Sequence, residues 1–237
     1  MTKKKLSKYN SYKKKIEALS KVSQTIASNL YLEDILKLIV MVTAEVMNSK
    51  ICSLLLLEEE KNELVIRATQ SVSSAYNRKP NVRLGEGIAG LAAKTNQPIA
   101  VLDVRKDDRY KNRDIAIKEN LCSLLSVPLC VKGKVIGVLN SYTSVKHIFK
   151  KEEIDVLTAL ANQAAVAIEN AHLLLKSKMI EEELKTRKLV ERAKGILMEL
   201  YGISEEEAYK KIQKQAMNTR RAMREIAEAI ILAKQLD

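Results

Sequence analysis

Six basic side chains, Lys210, Lys211, Lys214, Arg220, Arg221 and Arg224, fall between Ala208 and Arg224 with no acidic residue among them. Ammonium and guanidinium groups at this density bind polyanions, because each phosphate they neutralise releases condensed counterions. Arg220, Arg221 and Arg224 read as the first turns of a helix that Thr219 is placed to cap. Cations there oppose the helix dipole, whereas a bound anion would use both the side chains and the free N–H groups. Upstream, Lys194 and Gly195 share a turn of another helix. A helix-interior glycine costs about 1 kcal/mol relative to alanine. The reading is a close backbone approach there, to a neighbouring helix or to a nucleic-acid backbone, with Lys194 projecting beside it. The candidate polyanion-binding set is therefore Lys194, Gly195, Lys214, Thr219, Arg220, Arg221 and Arg224.

Three short amphipathic helices must position these groups. The first runs to Leu200, and Gly202 suits a left-handed stop. Ser204 with Glu207 three residues on is a capping box for the second, whose apolar stripe is Ala208, Tyr209, Ile212, Ala216 and Met217. Met223, Ile226, Ala227, Ile230 and Ile231 give the third its inner face. Such a bundle is too small to enclose an active site. The rest of the chain has no G-x-S-x-G, no phosphate-binding G-x-x-x-x-G-K and no H-E-x-x-H. Asp107-Asp108 and Glu152-Glu153 read as a solvated turn and a helix start. No enzyme activity and no catalytic residue is assigned.

The 237 residues suffice for one full domain and a small one, and their net charge is +12. Seven lysines and no acid in residues 1–15 account for most of that excess; residues 16–175 contribute +2 and residues 176–237 contribute +3. The N-terminus thus reads as a solvated basic tail, its alternative role being a non-specific electrostatic contribution to nucleic-acid binding. With no Trp and one Phe the cores must be aliphatic. Cys52, Cys122 and Cys130 lie in apolar runs without a CxxC pair and read as buried thiols. Two histidines, His147 and His172, do not compose a zinc centre, so no metal ligand is assigned. No secretory segment follows the basic start and no apolar run approaches about 18 residues, which predicts a cytoplasmic protein without membrane contact.

Between tail and bundle the periodicity changes twice. Ile16, Leu19, Val22, Ile26 and Leu30 recur at helical spacing, and a second helix opens at Tyr31-Leu-Glu-Asp. Antiparallel strands follow over Ile51–Leu57 and Leu64–Gln70, then a polar loop over Ser71–Asn81. Gly85, Gly87 and Gly90 match G-x-G-x-x-G, but Asn96-Gln97-Pro98 ends the helix that follows too early for a dinucleotide fold. The glycines read as a tight turn and close helix packing, and no nicotinamide cofactor is implied. Ser123–Val131 and Lys134–Tyr142 form a hairpin about Lys132-Gly133, with a bulge or an outward backbone nitrogen expected at Pro128. Lys151 begins a helix with no Gly or Pro until Gly195, long enough to leave its globule and pair with a partner helix. The loop Asp103–Asn120 and the loop Ser71–Asn81 would roof a pocket in which Arg105, Arg109 and Arg113, with Tyr76 and Tyr110, suit an anionic or planar ligand; a solvated loop with no ligand is the alternative.

The strings Arg83-Leu-Gly-Glu-Gly-Ile-Ala-Gly90, Ser126-Val-Pro-Leu129, Gly137-Val-Leu-Asn140 and Phe149–Ile154, in that order, resemble a GAF domain. The expected fold class is α+β, an antiparallel sheet flanked by helices, with a C-terminal all-α three-helix bundle. Cyclic-nucleotide members carry Asn-Lys and a later acidic pair, where this chain has Asn140-Ser141 and Glu153-Ile154. No cysteine neighbours a histidine as bilin attachment requires, and neither histidine lies in the roof as haem would need. No cofactor is identified, and a small-molecule ligand of the sensor is left open. Arg192-Ala-Lys-Gly-Ile-Leu-Met198, Ile203-Ser followed by Ala208-Tyr209, and Arg220-Arg with Met223–Ile230 resemble an ANTAR domain, with Ile212-Gln213 where many members have Leu-Arg. The domain organisation expected is a basic tail over 1–18, a GAF-like sensor with its exit helix over 19–175, and an ANTAR-like module over 176–237. The resemblance implies a transcription antitermination regulator that binds tandem hairpin loops in leader RNA, as a homodimer joined along Ile154–Leu175 and the linker. Two rivals stay open: a DNA-binding helix-turn-helix with Thr219–Leu232 as recognition helix, and a sensor whose bundle docks a protein.

Overall fold

The near-continuous apolar run from Ile51 forms a strand buried on both sides, because successive residues point to opposite faces of a sheet. The computed structural model describes residues 32–236; the basic tail and the helix expected over Ile16–Leu30 lie outside the described residues. Its elements are α1 (Leu32–Met47), β1 (Ile51–Glu58), β2 (Glu63–Thr69), α2 (Ser74–Asn77), β3 (Val82–Arg83), α3 (Gly87–Thr95), β4 (Ile99–Val101), α4 (Arg113–Lys118), β5 (Leu124–Val131), β6 (Lys134–Tyr142), α5 (Lys151–Tyr201), α6 (Glu205–Thr219) and α7 (Met223–Leu236). The described chain divides into two compact units between His172 and Leu173, within α5. No described helix is long and apolar enough to cross a membrane.

In the first unit six antiparallel strands run in the order β3-β2-β1-β6-β5-β4. One face carries Cys52, Leu54, Leu125, Val127 and Leu139, packed on α1 through Ile35 and Ile39 and on α5 through Leu157, Ala161 and Ala164. Leu54, Leu125, Leu139 and Leu157 are wholly buried, so truncating any one to alanine would cost about 2–5 kcal/mol. The other face carries Ile51, Leu55, Leu124, Val138 and Tyr142 under the short helices α2, α3 and α4. The expected α+β class is what the structure shows.

Local chemistry sets the boundaries. Lys132 and Gly133 both have positive φ, the mirror-image turn that matches strand twist. The hairpin's register shift falls between Leu129 and Cys130, one residue past Pro128. β4 pairs only with Leu124–Ser126, so at Pro128 that side of β5 has no partner strand among the described residues. The polar stretch after β2 is more ordered than expected, since Ser73 caps α2 by accepting the Tyr76 N–H. Gly90 is required for contact: a Cβ there would lie 2.3 Å from the Arg83 carbonyl oxygen. Gly85 and Gly87 sit at φ of 87° and 62° in the turn before it. Cys52 and Cys122 are buried and Cys130 partly so.

The second unit has a core of Val190, Ala193 and Leu197 from α5, Ala208, Ile212 and Ala216 from α6, and Ile226, Ala227 and Ile231 from α7. Ala193, Ala208 and Ala227, one from each helix, are fully buried, and their small size lets three backbones approach. Gly202 takes the left-handed conformation, and its N–H donates to the Met198 carbonyl at 2.9 Å, ending α5. Ser204 and Glu207 form the expected capping box at the start of α6.

Candidate nucleic-acid interface

The apolar stripe Ala208, Ile212 and Ala216 turns one side of α6 inward, so the intervening positions must face water. Lys210, Lys211, Gln213, Lys214, Met217 and Asn218 are all exposed there. Lys211 lies over the Tyr201 ring at 4.1 Å, and Lys210 pairs with Glu206 at 2.5 Å. Lys214, Arg220 and Arg221 have no carboxylate partner among the described residues. Three cations are thus exposed and uncompensated near one end of α6.

The backbone around them differs from the sequence expectation. Arg220 is not in the first turn of the third helix; it is the left-handed cap of α6, with φ 54° and ψ 35°. The Arg221 N–H donates back to the Ala216 carbonyl at 3.0 Å. Both arginines therefore sit at the negative end of the α6 dipole, where cations are favoured, and the opposed-dipole reading is corrected for these two; Arg224 does lie in the first turn of α7. Thr219 does not cap α7: it is the last residue of α6, and its hydroxyl donates to the Gln215 carbonyl at 2.7 Å. A polar residue able to leave the helix was visible in the sequence, but which helix it terminates depended on the left-handed Arg220.

The remaining candidates separate from this cluster. Lys194 is 6% exposed, and its Nζ donates to Glu191 at 2.8 Å and to Glu205 at 2.7 Å. Hydrogen bonds to Glu191 and then Glu205 hold its ammonium above the ordinary lysine range, and Glu205 is held below the ordinary carboxylate range in return. Lys194 therefore ties α5 to the start of α6 and does not project. Arg224 is half-buried and donates to Glu182 at 2.6 Å and to Glu228 at 2.9 Å, so it too bridges within the bundle. Gly195 is exposed, and a Cβ built on it would meet nothing within 4 Å. The close approach to a neighbouring helix expected there is absent among the described residues.

The exposed side of α7 carries Glu225 and Glu228.

The sensor unit has its own concavity, an open recess between the sheet and the roof helices. The three arginines expected to serve it are engaged elsewhere: Arg105 grips Asp103 through two hydrogen bonds at 2.8 and 2.9 Å, Arg109 grips Asp107 at 2.9 and 2.6 Å, and Arg113 reaches Asp108 at 2.6 Å. The hydrogen bonds from Arg105 hold the Asp103 carboxyl down at about 2. Each pair is a short-range aspartate–arginine turn, which formal charge counting along the loop cannot distinguish from free cations. Tyr76 and Tyr110 do line the recess, joined by Tyr142 and Lys79. Lys79 Nζ sits 3.9 Å from the Tyr76 ring centre and donates to the Tyr110 hydroxyl at 3.0 Å. Nothing in the sequence around Lys79-Pro80 marked it out.

Comparison with known proteins divides the chain at a similar place. The GAF domain profile matches residues 30–169 and the ANTAR domain profile residues 179–231. The methyl sulfide methyltransferase-associated sensor of Methanosarcina acetivorans is 28% identical over 172 residues, 70% of this chain and 17% of that protein. The transcriptional regulatory protein PdtaR of Mycobacterium tuberculosis is 48% identical over 52 residues, 22% of this chain and 25% of that protein. This chain thus spans a quarter or less of either relative. Among solved structures, the GAF domain of a phosphoenolpyruvate-protein phosphotransferase from Coxiella burnetii superposes with a TM-score of 0.60 at 28% identity, over 67% of this chain and 95% of that one.

Proposed function

We propose, for a chain that belongs to the GAF domain family and carries an ANTAR domain behind it, that the C-terminal bundle binds hairpin loops in nascent leader RNA under control of the sensor unit. The two domains are those of a regulator, and no residue of the chain is assigned a catalytic role. Occupying the loops would favour one RNA fold over a competing terminator, so that polymerase reads through.

The observation that carries this reading is the cluster of Lys214, Arg220 and Arg221, exposed and without carboxylate partners, inside a segment matched to the ANTAR domain. Loop nucleotides offer phosphates together with splayed bases. Tyr201 under Lys211, and the half-exposed Tyr209, are the aromatic surfaces of this unit, so guanidinium planes must supply much of the stacking. Gly195, open to solvent with no intramolecular neighbour, fits a close approach by an external backbone. Lys194 and Arg224 act in this scheme by holding the three helices in register. Two hairpins call for two modules, and the exposed Leu173, Leu174, Leu175, Met179, Ile180 and Leu184 of α5 support a homodimer joined along that helix.

The test is a fluorescence-anisotropy titration at about 150 mM salt with a tandem-hairpin RNA, the same RNA with scrambled loops, and duplex DNA. Preference for the intact loops is the expected result. Equal, salt-sensitive binding to all three would reduce the cluster to a basic surface and reject the reading.

A further inference from the structure

The roof-facing side of the sheet is aliphatic except across its centre. There Ser53 on β1, Asn140 on β6 and Ser126 on β5 are direct partners in adjacent strands and so share one face. All three are buried, at 1%, 3% and 0% exposure. Ser53 is satisfied by the Tyr76 hydroxyl at 2.9 Å. Asn140 Oδ1 and Ser126 Oγ have no hydrogen-bond partner among the described residues. A buried amide left unpaired carries an uncompensated desolvation cost, and Asn140 lines the recess.

Above this row two positive features converge. The Lys79 ammonium faces the rings of Tyr76, Tyr110 and Tyr142, at 3.9, 5.5 and 5.2 Å from their centres. It makes no salt bridge among the described residues. Burial pushes it down to about 7, a fall that the Glu119 carboxylate only partly offsets. The second feature is the start of α3. Its N-cap, Glu86, makes no side-chain capping bond, and the first residues of the helix, Gly87, Ile88 and Ala89, line the same recess. N–H groups in a first helical turn have no intrahelical acceptor, and the dipole favours negative charge beside them. The rest of the lining is Leu55, Ile66, Pro80, Val82 and Leu124, together with the exposed Lys111 and the part-buried Asn112.

We propose that this recess binds a small organic monocarboxylate, its charge held between the Lys79 ammonium and the α3 N-terminus, with a hydroxyl or amide donor on its apolar body meeting Asn140. Lys79 and one helix end compensate a single negative charge, Lys111 being exposed to solvent. The aliphatic walls disfavour a strongly hydrated body, and the unpaired Asn140 amide selects for a hydrogen-bonding group. The site belongs to the sensor unit and stands or falls independently of the RNA face.

A matched trio of compounds tests it on the full chain: 2-hydroxy-4-methylpentanoate, 4-methylpentanoate, which lacks the hydroxyl, and 2-hydroxy-4-methylpentanamide, which lacks the charge. The readout is the Nζ resonance of Lys79 in lysine-labelled protein, assigned with Lys79→Met, together with calorimetric affinity. The hydroxy acid is expected to bind with Kd of about 1 mM or tighter and to raise the pH at which Lys79 titrates. The amide should fail, and 4-methylpentanoate should bind about tenfold more weakly. Asn140→Leu should bring the two acids to the same affinity, and Lys79→Met should abolish binding. Amide binding equal to the acid, acid binding retained in Lys79→Met, or a Lys79 resonance unmoved by either acid would overturn the proposal. The last readout uses the unsubstituted protein, so a variant that fails to fold does not protect it.

Discussion

Replacing Lys214, Arg220 and Arg221 together with alanine removes the three exposed cations near the end of α6 that have no internal partner. On a single-stranded loop each neutralised phosphate contributes about 0.7 to the slope of log K against log salt. If all three touch phosphate, the slope should fall by about 2. At 150 mM salt each lost contact then removes about 0.6 log units, and the triple variant should bind about fiftyfold more weakly. Anisotropy titrations on the tandem-hairpin RNA at a series of salt concentrations measure both quantities at once. Arg224→Ala is the internal control. Its guanidinium already serves Glu182 and Glu228, so the slope should hold even where the bundle loses stability. Far-ultraviolet circular dichroism would show that the triple variant keeps its helices, as expected for side chains outside the core. An unchanged slope in the triple variant, or a large slope change in Arg224→Ala, would refute the assignment of free and engaged cations on which the interface rests.

Three further outcomes are expected. Lys194→Met should lower the melting temperature of the bundle while leaving the salt slope of RNA binding intact, because it strips the shared cation from Glu191 and Glu205; a lost slope with an unchanged melt would return Lys194 to the binding face. Ser204→Ala should cost about 1 kcal/mol of bundle stability at neutral pH, read by urea denaturation. The Ser204 backbone N–H and then its hydroxyl hold the Glu207 carboxyl below its ordinary range; alanine keeps the first bond and loses the second, and the hydroxyl's share of the stabilisation is present above the unfolded carboxyl's pKa and is lost as the pH falls through the folded value. The deficit of Ser204→Ala should therefore shrink in acid, and a deficit that grows there would contradict the capping geometry. Gly90→Ala should destabilise the sensor unit by about 1–3 kcal/mol, since its Cβ meets the Arg83 carbonyl at 2.3 Å; a neutral effect in calorimetry would show that α3 can slide without loss.

Much of the architecture was legible because it depends on local rules. The Lys132-Gly133 turn, the Ser204–Glu207 box, the Gly202 stop and the two periodicities each specify geometry within a few residues. The glycines at 85, 87 and 90 were read as turn and packing residues for the same reason, and Gly90 now has a named contact. What the sequence did not disclose is pairing at a distance. Lys194 looked like a free cation until Glu205, on the next helix, was found 2.7 Å away. Arg105, Arg109 and Arg113 looked like ligand donors, yet aspartates within five residues hold all three. Lys79, in contrast, carried no signal at all, because its three tyrosines come from separate segments of the chain.

The interface shows why formal charge alone misplaces a site. Arg220 and Arg221 were first attached to α7, where their charge would oppose the dipole and call for an anion as compensation. The left-handed Arg220 assigns them to α6, whose terminal carbonyls they complement. The free bundle is then stable with its binding cations exposed, and RNA is not needed to relieve a strained helix. Binding energy must instead come from counterion release and base contacts, which makes salt dependence the decisive observable. The sensor recess has the opposite character: its cation lies among rings, its floor has an unpaired amide oxygen, and a ligand would satisfy both. A monocarboxylate bound as proposed would shift the sensor between two states only by as much as its affinities for them differ.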